Sequence, residues 1–222
     1  MYAPDLKYHD GYFYLLNSCY SCGGIFIMRS RNPAGPWPDR TWLPLKGIDP
    51  SIFFDDDGRA YVLHNDLPPG KEGWDGHRAI WLQEIDLKTL RLVGEHVLLA
   101  DGGTHPPEHP FWIEGPHLFK KGGVYYLICA QGGTNEQHVE VAFRSRTLRG
   151  PYEARPDPIL TQVGLDPRRA NRVANAGHAD MVTTPDGNWW AVFLGARPYG
   201  PSDLDFQTGR VTFLQRVEWR EG

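Results

Sequence analysis

The chain has 222 residues, enough to bury a sizeable core in one globular domain, since all-β barrels and propellers of this length are often undivided. Its net charge is −4 and its basic residues form no run, so neither nucleic acid nor an anionic membrane is expected as a partner. Aromatic residues reach 13%, with eight tryptophans, which suits either surfaces that stack on sugars or a tryptophan-rich core.

Residues 3–15, APDLKYHDGYFYL, join an apolar run to an aromatic strand through Asp10-Gly11. Runs of β-forming residues bounded by Asp-Gly predict a hairpin, because that dipeptide accepts the positive φ angles of tight turns. Cys19 and Cys22 follow as Cys-x-x-Cys, without the second pair or paired histidines of a closed zinc site. With Cys129 the count is odd, and buried small hydrophobes or a casual pair outrank metal or redox chemistry.

The hairpin pattern returns at 47–64, GIDPSIFFDDDGRAYVLH, where Asp49 opens the first strand and Pro50 stands where Pro4 did. The Gly- and Pro-rich stretch 67–77, LPPGKEGWDGH, reads as a rim loop, with Trp74 a candidate to stack on a sugar. Residues 79–86, AIWLQEID, make a further strand of that unit. A third copy spans 114–128, EGPHLFKKGGVYYLI, opened by Glu114 and preceded by Trp112, which has both a stacking and a core reading. His105, His109 and His117 lie nearby, but nothing requires any two to share a face, and hydrogen-bonding roles are expected. The fourth copy, 178–194, begins at His178 and turns at Pro185-Asp186-Gly187. Ahead of it, residues 156–177 read as another rim loop, since the helical periodicity of 166–176 is weak. Residues 210–217 supply the last strand. A second repeat, RSRNPAGPW at 29–37 and RSRTLRGPY at 144–152, closes two of the units.

Units of three or four short strands recurring every 46 to 66 residues predict an all-β propeller, with blades of about 1–45, 46–105, 106–157 and 158–222 forming a single domain. A β-sandwich also has many short strands but does not predict repeated whole hairpins. The first strand of each blade lines a central channel, so Ala3, Asp49, Glu114 and His178 should converge at one mouth, allowing one position of slack. Asp49 and Glu114 would then form the carboxylate pair that glycoside hydrolysis uses. Their bland reading is a turn cap and an ordinary strand-end charge.

The four hairpin stretches, with GHAD ahead of the last and GRVTFLQRVEW closing the chain, resemble the blades of glycoside hydrolase family 43, five-bladed propeller enzymes that include β-xylosidases and α-L-arabinofuranosidases. The resemblance implies an inverting enzyme in which Glu114 is the general acid and Asp49 tunes its pKa and orients it. It also implies that His178 faces the channel, near the acid or near a calcium ion, and that Arg210 contacts substrate hydroxyls. No cofactor is required, although calcium in the central channel is an option. The family's general base sits on a first blade whose motif has no counterpart ahead of residue 3, and Asp5 falls within the equivalent of the second blade. One more blade upstream is therefore expected, the other possibilities being a four-bladed relative or a sugar-binding propeller without turnover. The expected partner is a xylo- or arabino-oligosaccharide, with no nucleic acid or membrane. No run approaches the roughly 20 apolar residues of a membrane helix, and the first ten residues have no export-signal pattern, so a soluble protein is expected, with its compartment and oligomeric state open.

Overall fold

The hairpins use two turn chemistries in alternation. In a computed structural model, which describes residues 2–166, 168–170, 172–197 and 209–220, β1 (Tyr2–His9) and β2 (Tyr12–Cys19) meet at Asp10-Gly11. Both turn residues have positive φ, 45° and 80°, as a two-residue hairpin matched to strand twist requires. β9 (Glu114–Lys121) and β10 (Val124–Gln131) meet in the same way at Gly122-Gly123. By contrast β5 (Ile48–Phe54) and β6 (Ala60–Asp66) are joined by five residues, with the Asp55 N–H donating to the Arg59 carbonyl at 2.9 Å. β14 (Ala174–Thr183) and β15 (Trp189–Ala196) repeat that loop, with the Thr184 N–H donating to Asn188 at 2.9 Å.

Each hairpin is the inner part of a blade. β3 (Gly24–Ser30) and β4 (Thr41–Trp42) extend the first sheet, and β7 (Ala79–Asp86) and β8 (Arg91–Asp101) the second. In the third sheet β11 (Val139–Ser145) pairs with β12 (Glu153–Ala154) and β13 (Leu160–Thr161). The fourth is completed by β16 (Arg210–Val217). All pairings are antiparallel, and the described residues contain no helix. The described residues thus form an all-β propeller of four blades, as the hairpin repeat predicts.

The main cores lie between blades. Tyr14, Leu16, Ile25 and Ile27 of the first sheet pack on Ile52 and Val62 of the second. Leu63, Ile80 and Leu82 of the second pack on Leu118, Leu127 and Val141 of the third. Cys129 is buried in that second interface as a free thiol. Cys19 and Cys22 form a disulfide.

Every blade junction also carries a polar link between strands. Asp5 Oδ2 accepts from the Ile52 N–H at 2.8 Å, the Ser51 hydroxyl donates to the Pro116 carbonyl, and Glu140 Oε2 accepts from the Ala179 N–H at 2.9 Å. Between the last blade and the first, the Lys7 ammonium donates to both oxygens of Asp180 at 2.8 and 2.7 Å.

Candidate active site

All four inner strands break register at the channel mouth, where three residues of the inner strand face two of its partner: Tyr2 to Asp5, Ile48 to Ser51, Glu114 to His117 and Gly177 to Asp180. Such a bulge re-aims side chains. Its middle residue lies in the left-handed region each time: Ala3 at φ 39°, Asp49 at 52°, Gly115 at 56° and His178 at 56°. Asp49 and His178 are therefore equivalent, whereas Glu114 sits one position earlier, level with Tyr2, Ile48 and Gly177. This offset is the one position of slack allowed for above. Gly115 has a steric reason as well, because a Cβ there would run into the His178 ring.

The bulges bring Asp49, Glu114 and His178 together, one side-chain ligand atom from each lying within 4.8 Å of the others. Ala3 holds the equivalent place on the first blade and adds no polar group. The His178 Nε2–H donates to Asp49 Oδ2 at 3.2 Å, and the Trp112 indole N–H donates to Glu114 Oε2 at 2.7 Å. Burial of Glu114, with the Asp49 carboxylate next in weight, pushes its carboxyl from 4.5 up to about 7, against His178, the Trp112 hydrogen bond and Arg210. Burial opposes the charged form of His178, but the bond and charge of Asp49, helped by Glu114 and Glu140, raise it to about 9. At neutral pH the site thus holds an imidazolium and a carboxyl poised between its two forms.

Arg210 opens β16, exposed, and its positive charge reaches Glu114. Trp74 has its ring stacked on His77 at 3.7 Å and its indole N–H on the Pro110 carbonyl at 2.8 Å, so one face is covered within the rim loop. His105 bonds Thr104 at 3.1 Å and His109 lies 5.9 Å from Trp74, centroid to centroid, so the three histidines near Glu114 do not gather. His117 joins a different group.

Two groups lacked a signal strong enough to be singled out in the sequence. Two residues along the strands from the site, Asp5, His117 and Asp180 form a second trio within 4.8 Å, with Lys7 bridging to it. Their i+2 spacing from the bulge residues is the pattern that places them on the channel face. Behind His178, the fully buried Glu140 is a charge in the otherwise apolar run VEVAF, and burial pushes its carboxyl up to about 8.

Asp49, Glu114 and His178 could supply three ligands to a cation, with waters completing the six to eight that calcium takes, although His178 Nε2 is turned to Asp49.

The family model for glycosyl hydrolases family 43 matches residues 1–222. The chain belongs to that family. A xylosidase/arabinosidase of Butyrivibrio fibrisolvens is 40% identical over 227 residues, covering 100% of this chain and 42% of that protein. A non-reducing end α-L-arabinofuranosidase of Bacteroides ovatus is 37% identical, covering 98% of this chain and 38% of its own length. The crystal structure of a GH43_12 protein retrieved from a capybara gut metagenome superposes with a TM-score of 0.87 at 40% identity, over 99% of this chain and 40% of that one. The family 43 chain thus spans about two fifths of the length of these relatives.

Proposed function

We propose that this family 43 chain is the part of a glycoside hydrolase that carries the general acid, acting with inversion on xylosyl or arabinofuranosyl residues of plant-derived oligosaccharides. The observation that carries the reading is the Glu114 carboxyl, buried beside Asp49 and raised to about 7, which keeps a transferable proton near neutral pH. Glu114 protonates the glycosidic oxygen as the bond to the anomeric carbon breaks. Water attacks that carbon from the opposite face and gives its proton to a base carboxylate, and Glu114 regains a proton from solvent. Asp49 favours the protonated acid, and His178 holds Asp49 in place. The likeness to family 43 implies that the base is a third carboxylate. No residue of the site described above is assigned that part. Arg210, whose guanidinium fork suits paired hydroxyl oxygens, is assigned to the substrate.

The relatives' printed names, xylosidase, arabinosidase and arabinofuranosidase, support a pentose substrate. A carbohydrate-binding propeller without turnover is the second reading, supported by the unassigned base. Hydrolysis of nitrophenyl xyloside and nitrophenyl arabinofuranoside, by the full-length enzyme and by its Glu114→Gln variant, separates the two. The first reading predicts turnover that the substitution lowers about 10²- to 10⁴-fold. Equal rates for the two proteins remove Glu114 from the mechanism.

A further inference from the structure

The acid's direction is set from the rim loop. We propose that Trp112 fixes the Glu114 carboxyl so that its proton sits on Oε1, and that Arg78 and Gly76 hold Trp112 in place. Arg78 is then a positioning residue for proton transfer. This inference rests on the reading of Glu114 as the acid and assigns a part to residues that neither the repeat nor the family likeness singles out.

The chain of contacts is continuous. An indole N–H donates and cannot accept. With the Trp112 N–H on Glu114 Oε2 at 2.7 Å, the protonated acid keeps Oε2 as the acceptor and carries its proton on Oε1. The other groups that act on Glu114 are Asp49 on β5, His178 on β14 and Arg210 on β16, which bias its charge. The Trp112 bond is the contact among them that distinguishes one oxygen from the other.

Trp112 is itself constrained. Its φ of 54° is strained for a bulky residue, and such a conformation persists only where the surroundings over-determine it. Its backbone N–H donates to the Gly76 carbonyl at 2.9 Å. Gly76, at φ 74°, lies so close under the Phe111 ring that a Cβ would collide with it, so a larger residue does not fit at this point of the loop. Above the indole, the Arg78 guanidinium lies 4.2 Å from the ring centroid. The guanidinium is anchored by Glu72 Oε2 at 2.7 Å and the His77 carbonyl at 2.6 Å. Glu72, Gly76 and Arg78 all belong to the rim loop or its end, so the loop's conformation is transmitted to the acid through one indole ring.

The test has two arms. In the chain itself, the Trp112 indole N–H resonance is identified by its loss in Trp112→Phe. The proposal predicts that Glu114→Gln and Arg78→Met each move it, whereas Arg78→Lys, which keeps a cation but not the planar stack, leaves it displaced. A resonance unmoved by Glu114→Gln overturns the coupling to the acid, and one unmoved by Arg78→Met overturns the part assigned to Arg78. In the full-length enzyme, Trp112→Phe and Arg78→Met should slow xylobiose, whose leaving alcohol needs a proton, about tenfold more than dinitrophenyl xyloside, whose leaving group does not. Equal slowing of both substrates would mean a merely structural role. If wild type hydrolyses neither these xylosides nor the corresponding arabinofuranosides, the reading of Glu114 as an acid fails, while the resonance arm still decides whether the loop holds it.

Discussion

Two rings of side chains line the channel at neighbouring levels, each with two carboxylates and one histidine within 4.8 Å, and burial raises a carboxyl in both, Asp5 in one and Glu114 in the other, yet their histidines are shifted in opposite directions. In the ring of Asp5, His117 and Asp180, Lys7 supplies a cation 2.7 Å from Asp180 and 3.6 Å from Asp5. Burial pushes His117 down and the Lys7 charge adds to it, against Asp180 and Asp5. Burial also works against the Asp180 carboxylate, but His117 and Lys7 hold it below its ordinary value. The ring of Asp49, Glu114 and His178 has no lysine. There the imidazole takes the positive charge and Glu114 is raised to about 7. A resident cation makes one ring a structural tie between the last blade and the first. Its absence leaves the other with a proton to give.

The largest effect should come from breaking that tie. Lys7→Met leaves Asp5 and Asp180 without their cation. It should lower stability in urea by about 2 kcal/mol, less than the roughly 3–5 of a fully buried pair, because the two side chains are 22% and 30% exposed. The Glu114 midpoint should stay put, and a displaced one would mean that the rings are one network.

Next comes the pH dependence of stability. Glu114, Glu140 and His178 all have folded values above their ordinary 4.5, 4.5 and 6.5, at about 7, 8 and 9. Each binds its proton more tightly when folded, so each contribution is full below the ordinary value and is lost as pH rises through the folded one. Chemical denaturation should show stability falling between about pH 6.5 and pH 9, above the range in which His64 and His138, lowered to about 4 by burial, act the other way. Glu140→Gln keeps an acceptor for the Ala179 N–H and removes the ionisation, so it should lessen the fall up to pH 8. An unchanged slope would place Glu140's ionisation elsewhere.

A smaller change should follow from His178→Gln. Loss of the imidazolium, which favours ionised Glu114, should move that group's midpoint upward, read by carbon NMR of the labelled carboxyl.

The contrast also explains what the sequence could show. Asp10-Gly11 and Gly122-Gly123 announce their turns locally, and all four inner hairpins appear where the repeat places them. Asp49, Glu114 and His178 were legible because each opens a hairpin. The one-residue offset of Glu114 was not, since it depends on a bulge whose middle residue is Gly115 here and Asp49 or His178 elsewhere. Asp5, Lys7, His117 and Asp180 lie as much as 175 residues apart, from Asp5 to Asp180, and each alone has an ordinary surface reading. Trp112 could be placed next to Glu114 by its spacing, but only the folded loop shows its N–H on the carboxyl and Arg78 across its ring.

The central claim is that Asp49 and Glu114 are neighbours in a ring whose cation is the His178 imidazolium rather than a lysine, and that one carboxyl stays protonated near neutral pH. Titration of the Glu114 side-chain carbon in wild type and in Asp49→Asn tests it directly. The account predicts a midpoint near 7 in wild type and a lower one in the variant, where a neighbouring negative charge is gone. A midpoint near 4.5 that Asp49→Asn leaves unchanged would contradict it.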